Sequence, residues 1–575
     1  MVTESIESSP AALAPEALLA AMVAEMERSA SHMRIPGSPR PYHITYSLRR
    51  AELVELSAAW GAMTRRRHAH RNRVFAQVRV GSPRFDNVMD GGLGDEDEEL
   101  ESFDWIDAPD ELSAEALQMA LWKLTQLRFD EAQEAYLDHK KARVSEYLRD
   151  AVDSFSKRRC AQHSDLVDPR ALEPGRWTEV VRRLSRRFFE QPKVYDPSVN
   201  LRVERTVRIM CNTDAARVIT EDVYVEANVT AWVLSPDGVY VESDRSLYRR
   251  RVEDVPSEEE LTAALDAVLA ELEELEHAVS PGSYLGPALL YGQPVACLFH
   301  EALGHRLEGE RLVARGETRT FAARVGDLIL PRGLDVFDDP TMRCPQTGAP
   351  YFGSFTVDDE GVPAERVTLV RDGVLEGFLQ SRAPIPSSKT SNGHARHDGV
   401  RFPMARMGNL VIAPSQEAPP ATQEALRAQL FSLTRAAGRR EALVVERVRQ
   451  GETQTSSYDF QAFKSEPSAV YLVDVETGRR RRVRDVELIG TPLSALQRIV
   501  SFGGPTGRDD GWCWAESGSV PVSGFAPMML FSEIELQQRS TTGFHEPLLP
   551  APVFEDGSHG RSAGLLARGR RKRRS

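Results

Sequence analysis

The sequence predicts an α+β protein of two domains: an N-terminal α/β domain with a mixed or antiparallel sheet and helices, and a β-rich C-terminal domain. Three observations predict it. The chain has 575 residues, more than one core serves, since single cores stop growing near about 250–300 residues. The hydrophobic period switches repeatedly between that of a helix and that of a strand. Pro281-Gly282 breaks the pattern near the middle, and hairpin signals crowd the part beyond it.

The elements follow in order. Residues 1–40 read as a partly helical N-terminal extension, because AALAPEALLAAMVAEMERS spaces its apolar residues along one helix face. The N-terminal domain is expected over 41–280. HITYSLRR and RVFAQVRVG alternate apolar and polar residues as half-buried strands do, and AELVELSAAWGAM between them suits a strand or a short helix equally. GGLGDEDEELE at 91–101 puts glycines before a block of like charge and reads as an exposed acidic loop. A helical pattern runs from Ser113 to Arg159, with Leu117, Leu121 and Leu124 on one face, and a second, Arg-rich one from Arg176 to Glu190. VYVEANVTAWVL alternates cleanly, and Pro236-Asp237-Gly238 turns the chain into a partner strand. Ser257 and Glu260 form a capping box for a helix whose stripe of Leu261, Leu265, Val268, Leu272 and Leu275 suits packing on a sheet. Across 281–545, RVTLVRDGVLEGFL and VYLVDVETGRRRRV each place a Gly-containing turn between alternating runs. RGRRKRRS ends a basic tail, 546–575, expected to be disordered.

Composition narrows the function classes. The net charge of −13 disfavours nucleic acid as a partner. No run of about 18 apolar residues is present, so no membrane-spanning helix is expected. Five cysteines and an N-terminus, MVTESIESSP, without the basic and apolar regions of a signal peptide imply a reducing, cytoplasmic setting.

The segment with chemistry is ACLFHEALGHRLEGE, Ala296 to Glu310. His300, Glu301 and His305 stand in the pattern H-E-x-x-x-H, one residue longer than the zincin H-E-x-x-H. Residues five apart lie about 140° apart around a regular helix. Both rings can face one ion only if the helix widens into an i→i+5 turn or unwinds near Gly304, which has no side chain to obstruct it. A catalytic zinc needs a third protein ligand. Glu308, Cys297 and Cys513 are candidates, and spacing does not rank them. Cys513 lies in DDGWCWAESGSVPV, which reads as an irregular loop with Trp512 and Trp514 placed to exclude water. Glu301 is the candidate general base. His394, Arg396 and His397, in a Gly-containing loop, and Arg406 are candidate substrate contacts or oxyanion donors. Cys160, Cys211 and Cys344 read as structural.

HEALGHRLEGE resembles the signature of the TldD/PmbA metalloprotease family, in which H-E-A-x-G-H is followed by a short L-E-G. GSFTVDDEGVPAERVTLVRDGVLEGFL, NGHARHDGVRFPMARMGNL, VELIGTPLSALQRIVSFGG and WCWAESGSVPV are similar to further blocks of that family. The last departs from the family's C-G-x-x-G-Q pattern at Trp514 and Ser517-Gly518. The resemblance implies zinc held by His300, His305 and Cys513 in the C-terminal domain, with Glu301 as base. It implies a cytoplasmic peptidase acting on flexible or unfolded peptides, present as a homodimer or as a heterodimer with a related subunit. The alternative it leaves is a non-catalytic, peptide- or partner-binding subunit with a structural metal.

Overall fold

The computed structural model describes residues 13–93, 105–146, 152–166, 173–314, 316–457 and 462–539. Most of the acidic stretch 91–101 and the whole basic tail 546–575 lie outside the described residues.

Mixed α+β architecture is observed, built on two large sheets. Pro41–Ala59 and Ala62–Ser82 form one long antiparallel hairpin around Trp60-Gly61. The segment AELVELSAAWGAM is therefore strand and turn, not helix. Neighbours decide this, since Pro41–Ala59 pairs on its other edge with Val194–Asn212. Arg217–Leu234 and Tyr240–Arg249 continue the antiparallel order, and Gln162–Asp165 joins in parallel, so the sheet is mixed.

Alternation sorts the two faces of this sheet. Ile44, Tyr46, Val54 and Leu56 point to one face, which helices cover. Pro15–His32 and Ala114–Glu146 cover one end through Leu18, Met22, Leu117 and Leu121. Pro174–Arg186 and Glu258–Glu276 cover the other through Val181, Leu184, Leu265 and Val268. The expected capping box of Ser257 and Glu260 is formed. The helix predicted in the N-terminal extension is present, and its buried Leu18, Met22 and Met26 join the core of the sheet.

The second sheet has eleven strands. Five of them close a ring, as Tyr284–Leu290 pairs both with Glu441–Thr453 and with Gly518–Gln538. The helix Gly292–Phe299 packs against Glu441–Thr453, Ile499–Ala515 and Gly518–Gln538. Pro294 through Phe299 are all buried, as an all-round apolar helix requires. DDGWCWAESG is not an irregular loop. It is the end of strand Ile499–Ala515, which turns at Glu516-Ser517 into Gly518–Gln538. A two-residue connection between paired strands outweighs the Gly and Asp content that suggests a loop.

Buried ion pairs join the two sheets. Glu271 of the helix Glu258–Glu276 accepts from Arg245 at 2.7 Å, and from Arg447 and Arg482 of the second sheet at 2.5 and 2.6 Å. Burial alone would raise the Glu271 carboxyl, but Arg447 and Arg245 pull it down from 4.5 to about 2. A carboxyl lowered on folding contributes stability that is complete above its unfolded value and is lost as pH falls through its folded value. Glu271→Gln is expected to cost about 3 kcal/mol at neutral pH, because three arginines lose a buried counter-charge. The wild-type midpoint should fall between pH 4.5 and about 2 more steeply than that of the variant, measured by thermal unfolding across that range.

Candidate metal centre

Beyond Phe299 the buried helix widens. His300–Gly304 forms a π turn in which the His305 N–H donates to the His300 carbonyl. This wide turn swings the two histidines onto one side, with ring centroids 4.8 Å apart and planes at 87°. Gly304 keeps ordinary right-handed dihedrals (φ −55, ψ −57), so the distortion does not need its freedom. Its missing side chain serves packing instead, because a Cβ there would lie 2.1 Å from Met407 Sδ.

The third donor arrives from 208 residues away along the chain. Cys513 Sγ sits 3.1 Å from His300 Nε2 and 3.3 Å from His305 Nε2, and all three donor atoms lie within 4.8 Å of one another. Tetrahedral zinc with ordinary Zn–N and Zn–S bonds separates N and S ligands by about 3.5 Å, so the donor set fits that ion. Burial opposes ionisation of Cys513, yet His305, Arg406 and His300 hold its thiol well below the ordinary value. Cys297 is the opposite case: burial pushes its thiol well up, and it packs as a small apolar side chain.

Glu308 is not beside the thiol. It is fully buried, and its carboxylate receives His305 Nδ1 at 3.1 Å and Arg311 Nε at 2.9 Å. An ionised carboxylate only accepts, so Nδ1 of His305 carries a hydrogen and donates it, which directs Nε2 at Cys513. Burial would raise Glu308, but His305, Arg311 and Arg406 bring it down to about 2. Arg311 also makes a two-pronged pair with Glu516, in the turn after Cys513, at 2.9 and 2.7 Å. One guanidinium thus ties the histidine segment to the cysteine hairpin.

Glu301 lies beside the three donors, and burial raises its carboxyl despite the nearby histidines. Gly451 makes room for it, since a Cβ there would lie 2.6 Å from Glu301 Cγ. Asp509, on the same face of its strand as Cys513, is pushed up to about 6 by burial and accepts from Gln293 at 2.8 Å.

Residues 281–538 match the family model of the PmbA/TldA metallopeptidase C-terminal domain. That part of the chain is a domain of the TldD/PmbA family. A metalloprotease of Archaeoglobus fulgidus is 30% identical over 260 residues, 45% of this chain and 55% of that protein. A zinc metalloprotease TldD homolog of Saccharolobus solfataricus is 25% identical over 252 residues, 44% of this chain and 51% of its own length. The chain spans about half the length of the curated relatives it matches. The fold is that of TldE from Thermococcus kodakarensis, with a TM-score of 0.58 and 14% identity over 90% of this chain and 100% of that one. A putative modulator of DNA gyrase from Thermotoga maritima gives 0.57 at 14% identity, over 90% of this chain and 100% of that one.

Other residues singled out from the TldD/PmbA blocks have different places. His394, Arg396, His397 and Arg406 are all buried rather than set in an exposed loop. Arg406 donates to the Cys513 carbonyl at 2.8 Å and to its sulfur at 3.1 Å, so it stands behind the thiolate and contacts protein. His394 Nε2 meets Asp338 at 3.2 Å. Arg396 and His397 line a cleft between the two sheets. Neither tryptophan covers the donors, because strand alternation turns both to the face opposite Cys513. Trp514 is 68% exposed, and Trp512 packs on Tyr224 and Phe352 at 5.2 and 5.4 Å. Glu308, Arg311 and Glu516 act together only in three dimensions; the E-x-x-R spacing of Glu308 and Arg311 was the one local signal. Gly304→Ala is expected to cost about 2 kcal/mol through overpacking. Met407→Ala in the same chain should recover part of it, and a double-mutant cycle by chemical denaturation checks both.

Proposed function

We propose that this chain is a zinc-dependent peptidase that hydrolyses peptide bonds in flexible or unfolded peptides. The observation that carries the reading is the position of Glu301, a buried carboxyl set beside a His-His-Cys group suited to zinc. A purely structural ion has no use for such a base. The names of the relatives, metalloprotease and zinc metalloprotease, support the same reading.

Zinc bound by His300, His305 and Cys513 would polarise the scissile carbonyl and acidify water. Glu301 takes the proton from the attacking water and returns it to the leaving nitrogen. Glu308 holds His305 with Nε2 toward the ion, and Arg406 keeps Cys513 as a thiolate. Glu301, His305 and Cys513 are at most 7% exposed, so an extended chain reaches them more readily than a folded surface does. A cytoplasmic location and a dimer, with itself or with a related subunit, belong to the same reading.

Elemental analysis of the purified chain should give one zinc per wild-type molecule and a clear loss in Cys513→Ala. Zinc kept by Cys513→Ala would remove the cysteine from the ligand set. Glu301→Gln should keep its zinc while kcat on an unstructured peptide falls at least about 100-fold. Unchanged hydrolysis by Glu301→Gln would remove Glu301 from the role of base.

A further inference from the structure

The cleft between the sheets has a volume of about 400 Å³ and lies against the hairpin that carries Cys513; Trp512, next to Cys513 in sequence, is in its wall. Its floor is the face of the N-terminal sheet turned away from the helices. There Arg73 stands directly opposite Arg49, and Arg49 directly opposite Arg208, three guanidinium groups in one row across three strands. Like charges placed opposite one another destabilise a sheet. Asp359 offsets two of them, pairing with Arg49 at 3.2 Å and with Arg208. Among the described residues no carboxylate pairs with Arg73, which lies over Trp105 at 4.1 Å with its Nε unbonded. Arg71, two residues earlier on the same face, lines the cleft too and has no ion pair among the described residues. On the opposite wall Arg396 donates only through Nη1, to the carbonyls of Met407 and Pro521.

The acids of the cleft do not make up the difference. Glu204 is paired with Arg202, Asp222 with Arg250, and Asp398 with Arg401. Asp358 accepts three backbone N–H groups. Glu226 takes the indole N–H of Trp512 at 3.3 Å. The lining holds six arginines and six carboxylates, and among the described residues Arg71, Arg73 and Arg396 are the guanidinium groups left without a carboxylate partner. The interspersed carboxylates disfavour a polyanion and leave room for single anionic groups. Tyr224, Phe355 and Trp512 supply apolar surface beside them.

We infer that this cleft is a substrate subsite that binds a carboxylate of the peptide, an acidic side chain or the free C-terminus, through Arg71, Arg73 and Arg396. The inference rests on the peptidase reading for its ligand class. Guanidinium groups match carboxylates in a planar, two-pronged geometry, and the cleft borders the hairpin that carries Cys513, on the face opposite the thiol.

Binding separates this inference from catalysis. Fluorescein-labelled unstructured octapeptides would be titrated by anisotropy into the full-length, zinc-loaded Glu301→Gln chain. One pair differs by Glu against Gln, another by a C-terminal acid against an amide. At least one acidic member should bind tenfold or more tightly than its neutral counterpart. The pair that discriminates identifies the source of the carboxylate. The preference should shrink with added salt and disappear in Arg71→Gln/Arg73→Gln, two positions outside the packed interior. Arg73→Lys should keep part of it, which loss of structure would not. Equal binding of acidic and neutral peptides, or a preference unaltered in the double variant, overturns the inference. Selective binding without hydrolysis by the wild type leaves the subsite standing and removes the peptidase reading; hydrolysis without selectivity does the reverse.

Discussion

The buried guanidinium of Arg311 is the interaction on which the candidate centre depends. It reaches Glu308, which orients His305, and Glu516, which belongs to the turn beyond Cys513. Remove that cation and Glu308, Glu317 and Glu516 lose the partner they share, while the histidine and cysteine segments lose their direct link. Buried ion networks contribute little net stability compared with apolar packing of the same volume. What this one fixes is relative position. The donors come from a helix and a strand separated by about two hundred residues of chain, and their atoms must agree to within a fraction of an ångström.

Charge also joins the two sheets. Glu271 is held by arginines from both, and Arg250 donates to the Phe352 and Ser354 carbonyls in the connection between Leu334–Asp338 and Val367–Arg371. The N-terminal sheet uses its apolar face for helices and its charged face for this contact. That division explains why an acidic protein carries so many arginines on one sheet face: several satisfy carbonyls and carboxylates of the connection that contains Phe352 to Asp359, and the few left over line the cleft.

Close packing accounts for the glycines at the centre. Gly304 lets Met407 approach the π turn, and Gly451 lets Glu301 stand beside its histidine. The turn itself is held from outside, by the Arg306 bonds to the Glu301 carbonyl and to Thr453, both at 2.8 Å. A π turn inside an otherwise regular helix is less favourable than continuing the helix, so it persists because its neighbours fix it.

The sequence by itself determined the local features. Period-two runs became strands, the stripe from Leu261 to Leu275 became a helix on a sheet, and Ser257 with Glu260 capped it. The spacing of His300 and His305 required a widened or unwound turn, because a regular helix sets residues five apart on different sides. Cys513 became the favoured third donor through family resemblance; spacing left it level with Glu308 and Cys297. Tertiary structure decided the rest. It made Glu308 a support for His305, turned Trp512 and Trp514 away from the thiol, buried Arg406 behind it, and set Arg73, Arg49 and Arg208 in one row. The physical reason is common to all four. A periodicity shows which side of its own element a residue is on, but the partner on that side is chosen by strand register and by the packing of segments far apart in the chain.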